Sequence, residues 1–150
     1  MSNPVALPFM GTFMPRLDDK GRLILPAKFR DRLASGVVVT RGQERSLFVF
    51  TFAEFAEQTR RFTEAPFTDK RARDFQRMFL AGAHDEVPDK QGRIQIPALL
   101  RSYAGLDRDV VVTGLGSRLE IWDAAAWEAY SEEQANAYSD LGEEVSPAEF

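Results

Sequence analysis

The chain has 150 residues, no cysteine and a net charge of −4, which excludes disulfides, thiolate metal sites and cysteine nucleophiles and makes the reducing cytoplasm the expected setting. No 18 consecutive apolar residues occur, and residues 1–13 lack a basic leader followed by an apolar run, so neither secretion nor a membrane span is expected. The acidity is segregated: 119–150 hold nine acids and no Lys or Arg, whereas 16–45 hold eight basic residues against four acids. The length suits one ordinary domain, or two small units of about 70 residues that share a core.

Residues 1–8 show no periodic pattern and are expected to form a flexible extension. From Asp18 the chain reads Asp18-Asp19-Lys20-Gly21-Arg22-Leu23-Ile24-Leu25-Pro26-Ala27-Lys28-Phe29-Arg30, and the pattern returns 71 positions later as Asp89-Lys90-Gln91-Gly92-Arg93-Ile94-Gln95-Ile96-Pro97-Ala98-Leu99-Leu100-Arg101. Such a repeat means that two half-chains adopt one supersecondary unit, so any surface it presents appears twice. Alternation predicts strands at 22–25 and 93–96, with Leu23, Leu25, Ile94 and Ile96 inward and Ile24 and Gln95 outward. Each proline stops its strand and suits the first turn of a helix, giving helices at 27–33 and 98–104 that Gly36 and Gly105 close.

Strands are predicted next at 37–40 and 110–113, then at 47–50 and 119–122, each pair joined by a glycine-containing loop. Thr51 with Glu54 forms a capping box, Asp123 is an N-cap, and Phe55 and Trp127 occupy matching positions in the helices that follow. Each half therefore reads β-β-α-β-β-α. Between them, Phe75, Met78 and Phe79 at helical spacing predict a joining helix over 67–83, and Tyr130 to Tyr138 extends the last helix into an otherwise patternless tail.

No nucleophile with its base, carboxylate pair or metal cluster is legible, so the chain reads as a non-enzyme with no cofactor and no metal. His84 is the sole histidine and lacks the partners of a zinc site; Asp85, Glu86 and Asp89 lack the spacing of a calcium loop. The Asp-x-x-Gly-Arg element carries more. Gly21 and Gly92 permit a tight turn, and across it Asp18 and Asp89 are placed to bond turn amides or to orient Arg22 and Arg93. An oriented arginine suits guanine edges or phosphates. Arg16, Lys20, Lys28 and Arg30, with Arg32, Arg41 and Arg45, crowd the first copy, while Gln91 and Leu99 replace Lys20 and Lys28 in the second. The N-terminal copy is therefore expected to dominate any binding to nucleic acid.

The doubled element, the joining helix and the closing Leu119-Glu120-Ile121-Trp122-Asp123 segment together resemble the AbrB-like swapped-hairpin DNA-binding fold, and two copies in one chain resemble the MraZ family. The resemblance covers roughly 9–130 and implies an α+β fold in which two tandem repeats form one pseudo-symmetric double-hairpin β-barrel with peripheral helices. It places the first repeat at 9–60, a connecting helical segment at 61–82 and the second repeat at 83–130, with 1–8 and 131–150 as flexible extensions. It further implies a transcriptional regulator, usually a repressor, that binds short direct repeats of double-stranded DNA upstream of the bacterial division and cell-wall genes. Such a protein acts as a ring-like homo-oligomer, associated with the nucleoid. Arg22 takes the DNA-contact role, with Arg93 its equivalent. Exposed apolar positions such as Ile24, Phe67 and Phe75 are candidates for ring contacts. An oligomeric scaffold that keeps the fold but recruits a partner is the alternative.

Overall fold

The computed structural model describes residues 6–64 and 68–141; expectations for 1–5, for Phe67 and for the tail from 142 onward lie outside the described residues. The first half contains strands β1 (Thr12–Phe13) and β2 (Arg22–Ile24), a 3-10 turn (Ala27–Phe29) running into helix α1 (Arg30–Leu33), strands β3 (Val37–Arg41) and β4 (Leu47–Thr51), and helix α2 (Phe52–Thr63). Helix α3 (Lys70–Ala81) follows. The second half repeats the order as β5 (His84–Glu86), β6 (Arg93–Gln95), α4 (Ala98–Ala104), β7 (Val110–Gly114), β8 (Leu119–Asp123) and α5 (Ala124–Asp140).

These strands form a six-stranded antiparallel sheet of order β1-β7-β8-β4-β3-β5 and a separate two-stranded ladder, β2-β6. Exchanging each strand for its counterpart in the other half reverses the six-strand order without changing it, so a pseudo-twofold axis passes between β4 and β8. The registers agree: Leu47 faces Ile121 and Val49 faces Leu119 around the central pair Phe48 and Glu120. The halves interlock, because β1 pairs with β7, β5 with β3 and β2 with β6. Neither half closes its own sheet.

The core obeys the same symmetry. Leu23 and Ile94, Leu25 and Ile96, Phe29 and Leu100, Val37 and Val110, Val39 and Val112, and Leu47 and Leu119 are all buried in one cluster. Alternate residues of the sheet face the other way: Phe48 and Phe50 pack with Phe79, Phe55 and Phe62 beneath α2 and α3. Trp122 packs against Trp127 and Tyr130 of α5. Burial on both faces explains why β3, β4 and β7 are apolar runs without clean alternation.

Local chemistry sets the boundaries. The Thr51 hydroxyl accepts from the Glu54 amide at 3.1 Å, starting α2, and Asp123 accepts from the Ala126 amide at 3.1 Å, starting α5. The joining helix is shorter than its apolar spacing suggests, because Asp69 accepts from the Arg71 amide at 2.9 Å and fixes its start at Lys70. The helix expected at 27–33 opens with a 3-10 turn, whereas its counterpart α4 is α-helical throughout. At the C-terminal end, α5 runs to Asp140, through the Tyr130–Tyr138 stretch expected to extend it.

Candidate nucleic-acid interface

Strands β2 and β6 are the two motif copies, paired antiparallel with each other. Leu23 faces Ile94, flanked by Arg22 opposite Gln95 and Ile24 opposite Arg93. The pleat sends Leu23 and Ile94 into the core and leaves Arg22, Ile24, Arg93 and Gln95 on the outer face. Ile24 is 46% exposed there. Exposed and packing residues thus alternate along one ribbon.

The two turns are superimposable in their bonding. Asp18 Oδ1 accepts from the amides of Lys20 at 2.9 Å and Arg22 at 2.8 Å, while its Oδ2 accepts from Arg22 Nε at 2.7 Å. Asp89 accepts from the amides of Gln91 and Arg93, each at 2.9 Å, and from Arg93 Nε at 2.7 Å. Gly21 and Gly92 complete the turns at φ of 76° and 77°, a region that side chains other than glycine rarely adopt. Hydrogen bonds from the Arg22 amide and guanidinium and from the Lys20 amide hold the Asp18 carboxyl below its ordinary range. The Arg93 amide and then its side chain do the same for Asp89. Both carboxyls are therefore ionised at neutral pH, and each guanidinium is fixed through its Nε.

The last arginine of each motif braces the opposite turn. Where proline ends the ladder, a strand carbonyl is left open; Arg101 donates to the Ile96 carbonyl at 2.6 Å and Arg30 to the Leu25 carbonyl at 3.2 Å. The same side chains lie over the glycine of the other copy: a Cβ at Gly21 would fall on the Arg101 guanidinium, and one at Gly92 would sit 2.7 Å from Arg30 Nε. Reciprocal backbone bonds, Leu25 amide to Gly92 carbonyl and Ile96 amide to Gly21 carbonyl, both at 2.9 Å, close the ribbon ends.

The other expected contact residues surround this ribbon. Lys20 is exposed in the first turn, and Lys28 is exposed with its ammonium 5.9 Å from the Phe29 ring. Arg16 forms an exposed ion pair with Asp109 at 2.9 Å. Arg30 is exposed beyond its brace to Leu25. Arg32 is drawn elsewhere, donating to the Leu7 carbonyl and stacking on Phe9, and Arg41 and Arg45 gather around Tyr103.

Three residues of the site are not singled out by motif reasoning. Lys90 stands where the first copy has Asp19, so the second turn is not the poorer in charge. Gln95 reaches across the ladder to donate to the Lys20 carbonyl at 2.7 Å. Glu86 accepts from the Gln95 amide at 2.7 Å, whereas the corresponding outward amide, that of Ile24, makes no hydrogen bond among the described residues. Only the charge of Lys90 was readable in the aligned copies; the contacts of Gln95 and Glu86 appear once the strands pair. His84, which carries no assigned role, lies half-buried on β5 with Nε2 3.5 Å from Glu86 Oε2.

An interlocked α+β fold built from two copies of one motif, with an aspartate-fixed arginine displayed by each copy on a shared ribbon, is the class to which these features belong. The chain belongs to the MraZ family: the family model described as "MraZ protein, putative antitoxin-like" matches it twice, at residues 8–78 and 79–144. A protein of Kocuria rhizophila named "Transcriptional regulator MraZ" is 63% identical over 142 residues, covering 95% of this chain and 99% of its own length. Proteins of the same name from Kineococcus radiotolerans and Micrococcus luteus are 58% and 56% identical over 139 and 142 residues, covering 93% and 95% of this chain and 97% and 99% of their own lengths.

Proposed function

We propose that the chain is a transcriptional regulator, acting as a repressor, that binds direct repeats of double-stranded DNA through the outer face of the β2-β6 ribbon. The observation that carries this reading is the pair of arginines held by Asp18 and Asp89 on one two-stranded ribbon. A ribbon of this width enters a major groove about 12 Å wide, and a pre-set guanidinium loses little entropy when it bonds a guanine edge or a phosphate. Arg22 and Arg93 contact the DNA; Lys20, Lys28, Arg16 and Arg30 add phosphate contacts, and these flanking charges favour the first copy. Asp18, Gly21, Asp89 and Gly92 shape the turns.

In this reading the repeats are 9–60 and 83–130, joined by 61–82, and the two sheets wrap their common core as a pseudo-symmetric double-hairpin barrel. The protein works in the cytoplasm at the nucleoid as a ring-like homo-oligomer, whose several ribbons engage successive repeats and gain by multivalency. The relatives' name supports regulation, and location upstream of the division and cell-wall genes is the expectation that the family resemblance contributes. Footprinting on the organism's own DNA upstream of those genes tests the reading. Protection of evenly spaced short repeats is the expected result, and uniform protection or none would overturn it.

A further inference from the structure

The pseudo-symmetry fails in the cover of the helix that ends each half. Helices α2 and α5 occupy equivalent positions after β4 and β8, with Phe55 and Trp127 as counterparts, yet among the described residues only α2 is covered by a further helix. Phe75 and Phe79 of α3 pack on Phe62 with ring centroids 4.8 Å apart in each pair, and Gln76 donates to the Phe62 carbonyl at 2.7 Å. The second half supplies no such helix to α5 among the described residues. Trp127 and Tyr130 bury their rings against Trp122, but the same helical stripe continues through Gln134 to Tyr138, which is 78% exposed. Residues 132–140 are exposed throughout and make no side-chain hydrogen bond, ion pair or ring contact among the described residues. An exposed helical stretch of about 14 Å is marginal in water without a tertiary partner.

The chain carries a surface of matching character. Helix α5 bears Glu128, Glu132, Glu133 and Asp140 and no basic residue; helix α3 bears Lys70, Arg71, Arg73 and Arg77 against the single acid Asp74. The side of α3 turned away from α2 presents Lys70, Arg73, Arg77 and Leu80 at helical spacing, and Asp74, which pairs with both Lys70 and Arg77, offsets only one of these charges. A groove of about 420 Å³, lined by Arg73, Gln76, Arg77, Leu80 and Ala81, runs along it.

From this we infer that α5 of one copy docks on the outer face of α3 of a second copy, with Tyr138 against the Leu80 groove and the two acids that flank its stripe, Glu128 and Glu132, against Lys70 and Arg77. This rests on the proposed self-association and names the surfaces that perform it. Because two different faces meet, the contact is head-to-tail, the arrangement that generates a closed ring or an open filament. Helix α3 then lies between its own α2 and the neighbour's α5, and the second half acquires from the next subunit the cover that the first half builds for itself.

Light scattering of the full chain without DNA tests the inference. Wild type is expected to assemble to a multiple of 16.9 kDa. The variants E128K/E132K and K70E/R77E are each expected to fall to the single-chain mass with unchanged circular dichroism, and Tyr138→Ala to shift the distribution the same way. An equimolar mixture of the two charge variants, which restores opposite charges across the contact, is expected to reassemble. An assembled wild type whose variants all keep its mass would overturn the inference alone. A monomeric wild type would overturn the self-association reading and the inference with it. If K70E/R77E kept the assembly but lost DNA affinity, the α3 face would belong to DNA and the inference would fail.

Discussion

Replacing Gly21 with alanine tests the brace that ties the two motif copies together. The new Cβ meets two penalties. Gly21 sits at φ of 76°, where an L-residue costs roughly 1–2 kcal/mol. The methyl also lands on the Arg101 guanidinium, with Cζ only 2.7 Å away, so Arg101 must leave and surrender its 2.6 Å bond to the Ile96 carbonyl. A hydrogen bond from a charged donor contributes about 1.5–3 kcal/mol. Together these predict a loss near 3 kcal/mol, or a fall in Tm of about 6–12 °C for a chain of this size. Thermal and urea unfolding at one fixed protein concentration measure it, since self-association also shifts the midpoint. Adding Arg101→Ala removes the obstacle, so the double variant is expected to cost less than the sum of the singles by about 1 kcal/mol or more. Gly92→Ala is expected to cost less, because the Arg30 side chain above it is exposed and can swing away. A Gly21→Ala variant within about 0.5 kcal/mol of wild type, or strict additivity with Arg101→Ala, would refute the reasoning.

The depressed Asp18 and Asp89 carboxyls are expected to titrate below 3.8, the value for an unperturbed aspartate, in carboxyl-carbon NMR. Their bonds to the turns are then fully present above that value and are lost as pH falls through the lower folded values, so neither group should give DNA affinity a pH dependence near neutrality. Thr51→Ala removes the cap of α2 and should lower stability by about 1 kcal/mol in urea unfolding, with DNA affinity per folded molecule unchanged. Hydrogen exchange should show the Gln95 amide, bonded to Glu86, better protected than the Ile24 amide, and Glu86→Ala should remove the difference.

Much of this architecture is readable in the residues because it is local. The repeat spacing locates the turns, alternation sorts Leu23 and Ile94 from Ile24 and Gln95, and Thr51, Asp123 and Gly105 announce helix ends through their own chemistry. The Asp18–Arg22 and Asp89–Arg93 bonds are legible for the same reason, since both partners lie within one turn. Residues whose role depends on pairing between the halves are not. Gln95 acquires its contact with Lys20 only when β6 meets β2, and Arg101 looks like an ordinary surface cation until the ladder sets it on Gly21. Strands β1 and β5 span two and three residues, too short for a periodic signal, and exist because β7 and β3 offer open edges. The helical continuation of 131–140 has little apolar content to mark it, although Tyr130 and Tyr138 hint at the stripe.

The central claim is that both aspartate-fixed arginines of the shared ribbon contact DNA. Fluorescence titration of upstream repeat DNA across a salt series, with wild type and the Arg22→Ala/Arg93→Ala double variant at matched oligomeric mass, tests it most directly. Each lost contact should cost about 1–3 kcal/mol, so the double variant is predicted to bind at least about 30-fold more weakly, with a shallower dependence on salt wherever the lost contact was to phosphate. Unchanged affinity and an unchanged salt slope in a folded, assembled double variant would contradict the account.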